Sequence, residues 1–347
     1  MKFFKWLVIG AGPAGILAVG KLLDLGVPEK NILWVDPHFA VGDLGRKWKN
    51  VPSNTKIKFF KKFLNSTKSF CYKSCPENKK LQKKPEETCL LKEIVLPLQW
   101  VTKQFLKKIN HKKKYIRMLK FKKTKWEFEI SKEEKAYAEN VILAIGSDPI
   151  QKKDLKKKFI PLEIALNPIK LRKKIKSKDK IAVLGSSHSA ILVLKNLYEL
   201  NLDIKIINFY RNPLKFAVEF PSFILHDNTG LKGTTAYWAK QKLLKNIPEK
   251  IERIHIQDPI FKKKLKQSNK IIYAIGFQAR KITIKGLKKC KYHPKTGIIG
   301  PGLFGIGIAF PELISDPFGQ KEYNVGLYKF NNYIQKILPL WCKSYKK

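Results

Sequence analysis

Gly10, Gly12 and Gly15 stand in the spacing G-x-G-x-x-G within GAGPAG, and Asp36 follows the first of them by 26 residues. Residues of these types at this spacing can hold a dinucleotide. The first glycine permits a tight turn. The second lets a diphosphate approach the backbone with no Cβ in the way, and the third lets a helix pack close to a strand. Pro13 and Ala14 complete the turn. A helix beginning there would present free N–H groups and about half a positive charge to the phosphates. Asp36 would accept hydrogen bonds from a ribose diol.

That chemistry requires strand, turn, helix and strand in this order. The apolar run WLVI precedes the turn, ILAVGKLLDLG reads as a helix ending at Gly26, and NILWV reads as a second strand ending at Asp36. Residues 6–20 carry no charge and follow MKFFK, a combination that a secretion signal or a membrane span would also show. The run is shorter than the roughly 20 residues of a span. It is also interrupted by Gly10, Gly12, Pro13 and Gly15, and the nucleotide turn accounts for all four.

The pattern occurs twice. In residues 180–211 a strand IAVL meets the turn GSSHSA, followed by a helix AILVLKNLYEL and a strand IKIINF. Gly185, Ser186, Ser187 and Ser189 are the candidate phosphate-turn residues, and Arg211 lies 26 residues after Gly185, the register that Asp36 has in the first copy. An acid there suits a free 2′-hydroxyl, whereas an arginine suits the 2′-phosphate of NADP. A charge-assisted hydrogen bond of that kind is worth roughly 1.5–3 kcal/mol. A solvated loop arginine is the plainer alternative. Ser187 replaces the middle glycine and either hinders the diphosphate or donates a hydroxyl to it; Ala190 replaces the last, as the pattern allows. His188 is either a neighbour of the phosphates or a surface residue at a helix start. A further echo comes from NVILAIGSDP (140–149) and KIIYAIGFQ (270–278), which pair Gly146 with the first turn and Gly276 with the second. The expected fold is α/β, with two Rossmann-like dinucleotide-binding domains.

Composition sets the remaining bounds. The 347 residues carry a formal net charge of +44. Only six of the 71 basic residues are arginine, and the lysines are spread along the chain in short runs. Base readout and bidentate phosphate clamps favour arginine, so a solvated surface with non-specific polyanion adhesion is expected rather than a nucleic-acid site. Five scattered cysteines do not form a disulfide framework. The expectation is a cytoplasmic protein with free thiols, no transmembrane segment, no metal and a small-molecule substrate.

GAGPAG, ILAIGSDP, the glycine–serine turn at 185, IYAIGF and the late GLFGIGIAFP together resemble the two-dinucleotide-binding-domain flavoproteins, which include the pyridine nucleotide–disulfide reductases and the flavin-dependent monooxygenases. The resemblance spans nearly the whole chain. It implies an FAD domain on 1–160 and 292–347, with an NAD(P)H domain, 161–291, inserted into it. By the same resemblance Gly10, Gly12 and Gly15 contact the FAD diphosphate, Asp36 its ribose, and the segment from Gly302 to Phe310, with Gly307, lies near the flavin. The stretch GDLGRKWKNVPSN (42–54) resembles the glycine–tryptophan segment of flavin-containing and N-hydroxylating monooxygenases, which makes Trp48, Asn50 and Asn54 flavin-lining candidates. The chain departs from the reductases in having GIGIAFPE, with no Asp in it, where they carry an Asp after the strand, and from the main monooxygenase groups in lacking F-x-G-x-x-x-H-x-x-x-W.

The resemblance therefore implies an FAD-dependent, NADPH-linked oxidoreductase that passes hydride from NADP(H) to flavin and on to oxygen plus a small organic substrate. Two alternatives stand beside it. One is a thiol or quinone reductase using Cys71 and Cys75, whose C-x-x-x-C spacing is not that of a redox pair. The other is a non-catalytic flavin-binding sensor or scaffold. In HDNTG (226–230), Asn228 is the candidate catalytic residue, against a plain capped loop. The C-terminal stretch from Leu327, with Phe330, Ile334, Ile337 and Leu338 at helical spacing, reads as a docking helix.

Overall fold

The structure is a computed structural model that describes residues 2–82, 84–131, 134–152 and 158–343. The chain divides into two compact units. One comprises Met1–Lys49, Lys56–Ser147 and Ala279–Lys347; the other comprises Asn50–Thr55 and Asp148–Gln278.

The first unit opens with β1 (Lys2–Ile9), α1 (Pro13–Asp24) and β2 (Ile32–Val35). The inner half of β1 and all of β2 are buried on both faces, which is why WLVI and ILWV read as continuous apolar runs rather than alternating ones. Pro13 at the first helical position starts α1. Gly26, at φ +78°, lies just beyond its end. The unit continues through α2 (Lys92–Leu106), β3 (Asn110–Lys112), β4 (Met118–Lys122), β5 (Lys125–Glu129) and β6 (Lys135–Leu143).

The second unit contains β7 (Lys158–Phe159), β8 (Lys180–Leu184), α3 (His188–Glu199), β9 (Lys205–Tyr210), β10 (Ile251–His255) and β11 (Lys270–Tyr273). Its five-stranded sheet has the order β7-β11-β8-β9-β10 and is parallel throughout. The chain then returns to the first unit with β12 (Thr283–Lys285), β13 (Ile298–Gly300), β14 (Leu303–Gly305) and the C-terminal helix α4 (Leu327–Lys343). The nine-stranded sheet of the first unit has the path β12-β4-β5-β6-β1-β2-β3, with β14 beside β6 and β13 beside β14. The segment β3-β2-β1-β6 is parallel, so each unit carries the same third–second–first–fourth strand order. This is the doubly wound arrangement, whose ligand crevice lies outside the carboxyl ends of the first and fourth strands.

Apart from the short excursion 50–55, the chain passes between the units at 147/148 and 278/279, against the expected 160/161 and 291/292. The pairing explains both differences. β7 pairs with β11 in the second sheet, whereas β12 pairs with β4 in the first. Neither short strand has an apolar pattern long enough to announce its sheet.

α4 closes the first unit as expected. Phe330, Ile334, Ile337 and Leu338 are buried in the cluster that also holds α1 and α2 residues. Trp341 is buried, stacks on Phe304 at 4.4 Å and donates Nε1–H to the Thr296 carbonyl at 2.8 Å, so this ring is part of the core. The lysine-rich stretch after Thr67 folds into short 3₁₀ turns that bury Phe70, Tyr72, Cys75 and Leu81 in the same core. Among the described residues no helix is long and apolar enough to cross a membrane.

Candidate functional site: two dinucleotide turns

Each unit places its glycine turn at the carboxyl end of its first strand. In the first unit Ile9 of β1 pairs with Leu143 of β6, and Gly10 lies against the next residue of that strand, so that a Cβ at Gly10 would come 2.3 Å from the Ala144 oxygen. In the second, Leu184 pairs with Tyr273, and a Cβ at Gly185 would come 2.2 Å from the Ala274 oxygen. Both glycines have positive φ, +109° and +127°, a conformation that L side chains rarely adopt. The echo of AIG at 144–146 and 274–276 is thus the backbone against which each turn closes.

Neither following helix is capped by a side chain. Gly12 at the start of α1 and Ser187 at the start of α3 are extended and make no side-chain cap hydrogen bond, and neither helix has an acid in its first turn. The N–H donors of both helix starts are therefore left for a ligand. The first turn is also bare of side chains. Gly12 faces Gly42, and a Cβ on Gly307 would come within 2.7 Å of the Ala14 Cβ. Such a seam fits a diphosphate lying on backbone.

Asp36 has a structural part of its own. It is buried, and its carboxylate accepts from the N–H groups of Ala11 at 2.8 Å and of His38 and Phe39 at 2.7 Å each. One of its roughly four lone-pair positions is left for a further donor. The acid thereby fixes the turn and the loop after β2 together.

The second turn differs in register. Val35 pairs with Ile9 and Phe209 with Leu184, so the residue in the place of Asp36 is Tyr210, not Arg211. Counting along the chain misses this because the second helix-to-strand connection is one residue shorter. Arg211 is exposed and lies one position beyond, its carbonyl oxygen 2.8 Å from His255 Nε2. Arg253 lies with its guanidinium 4.6 Å from the Tyr210 ring centre. Ser186 donates its hydroxyl to the Asn212 carbonyl at 2.9 Å, and Ser187 is exposed.

His188 is half-buried rather than openly exposed. Burial, with the Lys232 charge adding to it, brings its pKa down to about 4, and its Nδ1 is buried with no hydrogen-bond partner. The ring is neutral at physiological pH and offers the phosphates no positive charge.

Trp48 closes a five-residue π-helical turn, Leu44–Trp48, and is half-buried; Asn50 and Asn54 are exposed and belong to the short segment 50–55. Gly146 and Gly276 have φ +75° and +104°. Asn228 is half-buried in a turn in which the His226 carbonyl accepts from Gly230 N–H at 2.7 Å, with Asp227 paired to Lys232. Of the two thiols in the alternative reductase reading, Cys71 is exposed and Cys75 is buried in the core, where burial pushes its pKa up. A buried thiol with a raised pKa is not poised as a nucleophile.

Several residues at these sites carry no sequence signal of their own. Asp43, one residue past Gly42, pairs with Arg280, and the Arg280 guanidinium also donates to the Ile145 carbonyl at 3.2 Å. The Tyr292 hydroxyl lies 2.7 Å from the Phe310 carbonyl and 3.2 Å from the Tyr333 hydroxyl, bracing the segment after Gly307. Burial raises the pKa of Tyr292 far above that of a free phenol, the bond to Tyr333 adding to it.

Comparison with known proteins agrees with this arrangement. Residues 88–246 match the family model for L-lysine 6-monooxygenase/L-ornithine 5-monooxygenase. Over 97% of the chain and 98% of the relative, the sequence is 30% identical to monooxygenase AgnR1 of Paecilomyces divaricatus. Among solved structures, bacillithiol disulfide reductase from Staphylococcus aureus has a TM-score of 0.65 at 11% identity, covering 100% of both chains. The FAD-bound cadaverine monooxygenase DfoA of Erwinia amylovora has a TM-score of 0.62 at 10% identity, covering 99% of this chain and 92% of its own.

Proposed function

The chain belongs to the monooxygenase family within the two-domain FAD- and NAD(P)-binding flavoproteins, and from that premise we propose that its first unit holds FAD and its second NADP(H). It is an FAD-dependent, NADPH-linked oxidoreductase of monooxygenase type. The observation that carries the assignment of the units is the contrast between their turns. Both present an uncapped helix start behind a glycine. Only the first keeps three glycines and an acid in the ribose position, whereas the second has Tyr210 there and Arg211 beside it.

FAD, when bound, accepts hydride from NADPH and reacts with oxygen; the protein binds, orients and excludes water. Gly10, Gly12, Pro13, Ala14 and Gly15 supply the backbone of the diphosphate site, and the last acceptor position of Asp36 takes a ribose hydroxyl. Gly146, Gly307, Trp48 and Asn54 shape the flavin's surroundings. Gly185, Ser186, Ser187, Ser189 and Gly276 form the NADP(H) turn, and Arg211 takes the 2′-phosphate. Asn228 stays the first candidate for touching substrate, and an amine-bearing small molecule is the first class to assay, given the family model matched. A cytoplasmic setting fits the free thiols among the described residues, and its salt limits the polyanion adhesion expected of a chain with net charge +44.

The test begins with the purified chain. The expected result is a yellow protein that bleaches with NADPH under argon, recolours in air and, with a small amine supplied, releases its hydroxylated product and water. A colourless protein that FAD does not colour would overturn the reading, and turnover that survives without oxygen would redirect it to a reductase. For Arg211→Ala, the NADPH-over-NADH preference in kcat/KM is expected to fall about tenfold or more, since loss of one charge-assisted bond is worth roughly 1.5–3 kcal/mol. An unchanged preference removes Arg211 from the site.

A further inference from the structure

The two turns share a device that their sequences do not. In the first unit Trp34 of β2, opposite Val8, donates its indole N–H to the Gly10 carbonyl at 2.9 Å. In the second, Asn208 of β9 holds the same register, opposite Val183, and its amide donates to the Gly185 carbonyl at 2.8 Å and to the Val183 carbonyl at 3.1 Å. Both side chains are fully buried. The amide N–H of each glycine is bound as well, Gly10 to the Val35 carbonyl and Gly185 to the Phe209 carbonyl, both at 2.8 Å. The second strand of each unit thus fixes both polar groups of the first turn residue, one through its backbone and one through a side chain.

We propose that Asn208 is a positioning residue for the NADP(H) turn, holding the Gly185 carbonyl so that the N–H groups of residues 187–189 keep their aim, and that Trp34 does the same for FAD at Gly10. Two residues with no chemical likeness occupy one register because each brings an N–H donor to the same oxygen. In the second unit the device has a further link. Arg253 Nε donates to Asn208 Oδ1 at 3.1 Å, which fixes which end of the amide faces Gly185. Asn208 therefore joins the turn to the Arg253–Tyr210 stack at the adenosine end of the same site. The proposal rests on the reading that the second turn binds NADP(H).

The test uses the holoenzyme, two mirrored variants and one rescue variant. Asn208→Ala is expected to raise the NADPH KM and the NADP⁺ Kd at least tenfold, with kcat within about threefold and FAD content unchanged. Backbone hydrogen exchange at residues 185–189 should rise. Asn208→His, which returns a ring N–H, should recover most of the loss. Trp34→Phe is expected to do the converse, raising the FAD Kd tenfold while the NADP⁺ Kd stays put. If Asn208→Ala leaves both exchange and NADPH KM at wild-type values, the proposal is wrong. If exchange rises but the wild-type chain itself binds no NADP⁺, the positioning role stands and the nucleotide assignment of the second turn falls. Should Asn208→Ala fail to fold, the Trp34→Phe arm decides: unchanged FAD retention counts against the shared device.

Discussion

Gly15→Ala is expected to yield protein without flavin: less than a tenth of wild-type FAD content after purification, and NADPH oxidation down at least about 100-fold. A Cβ at this position would sit 1.9 Å from the Gly10 oxygen and 2.8 Å from its carbonyl carbon. Both are backbone atoms of a turn closed against Ala144, so no side chain can swing away to make room. Relief must come from moving α1 off β1 or from twisting Gly10, and each distorted residue costs roughly 1–3 kcal/mol. Two such residues already amount to about 100-fold in affinity, at about 1.4 kcal/mol per decade. The second turn provides the control, because Ala190 occupies the matching position there and is fully buried. NADP⁺ affinity in Gly15→Ala should therefore stay within about threefold of wild type. Full flavin content in the variant would show that the turn yields more readily than its contacts imply.

The difference between the two turns explains what could be read from the chain. Glycines announce themselves because a close approach of backbone to backbone excludes every other residue, and the register of GAGPAG with NILWV follows from parallel strands of ordinary length. The same logic led from IAVL to IKIINF and gave the second unit. The C-terminal helix was legible because its apolar positions repeat at helical spacing and one face is buried against α1.

What stayed hidden depends on pairing rather than on pattern. That Tyr210 holds the Asp36 position is set by Phe209 lying opposite Leu184, and no count along the chain contains that one-residue offset. Trp34 and Asn208 look like an ordinary core aromatic and a stray polar residue until the register places both beside a glycine carbonyl. The edges of the two units are hard to read from the chain for the same reason, since β7 and β12 have 2 and 3 residues and gain their identity from the strand beside them. His188 could not be placed from sequence because its surroundings come from tertiary neighbours, whose burial of the ring, with the Lys232 charge, holds its pKa well below the ordinary value.

Lys270→Met is expected to destabilise the second unit by about 3–5 kcal/mol, the usual cost of removing one partner from a buried ion pair. Lys270 and Asp179 pair with side chains only 6% and 7% exposed. Their remaining capacity is used as well: Lys270 donates to the Lys174 carbonyl at 2.6 Å, and Asp179 accepts from Lys176 N–H at 2.6 Å and Asn269 Nδ2 at 2.9 Å. The pair thus ties β11 to the loop that leads into β8. Methionine fills much the same volume but leaves a carboxylate in the interior with its counter-charge gone. Asp179→Asn leaves the ammonium in the same position and should cost a similar amount. The double variant should recover more than half of either loss, because a neutral pair no longer needs the charges compensated. Acid provides an independent check. Burial works against the Asp179 carboxylate, but the bonds from Lys270, Lys176 and Asn269 outweigh it and hold its pKa below the ordinary value. Its stabilisation is therefore present in full above the carboxylate's unfolded pKa of about 3.9 and is lost as pH falls through the depressed folded value. Urea unfolding of the wild type should show that loss below about pH 4, and Asp179→Asn should lack that share of it. Equal acid sensitivity in the two proteins would mean that the pair contributes no pH-dependent stability.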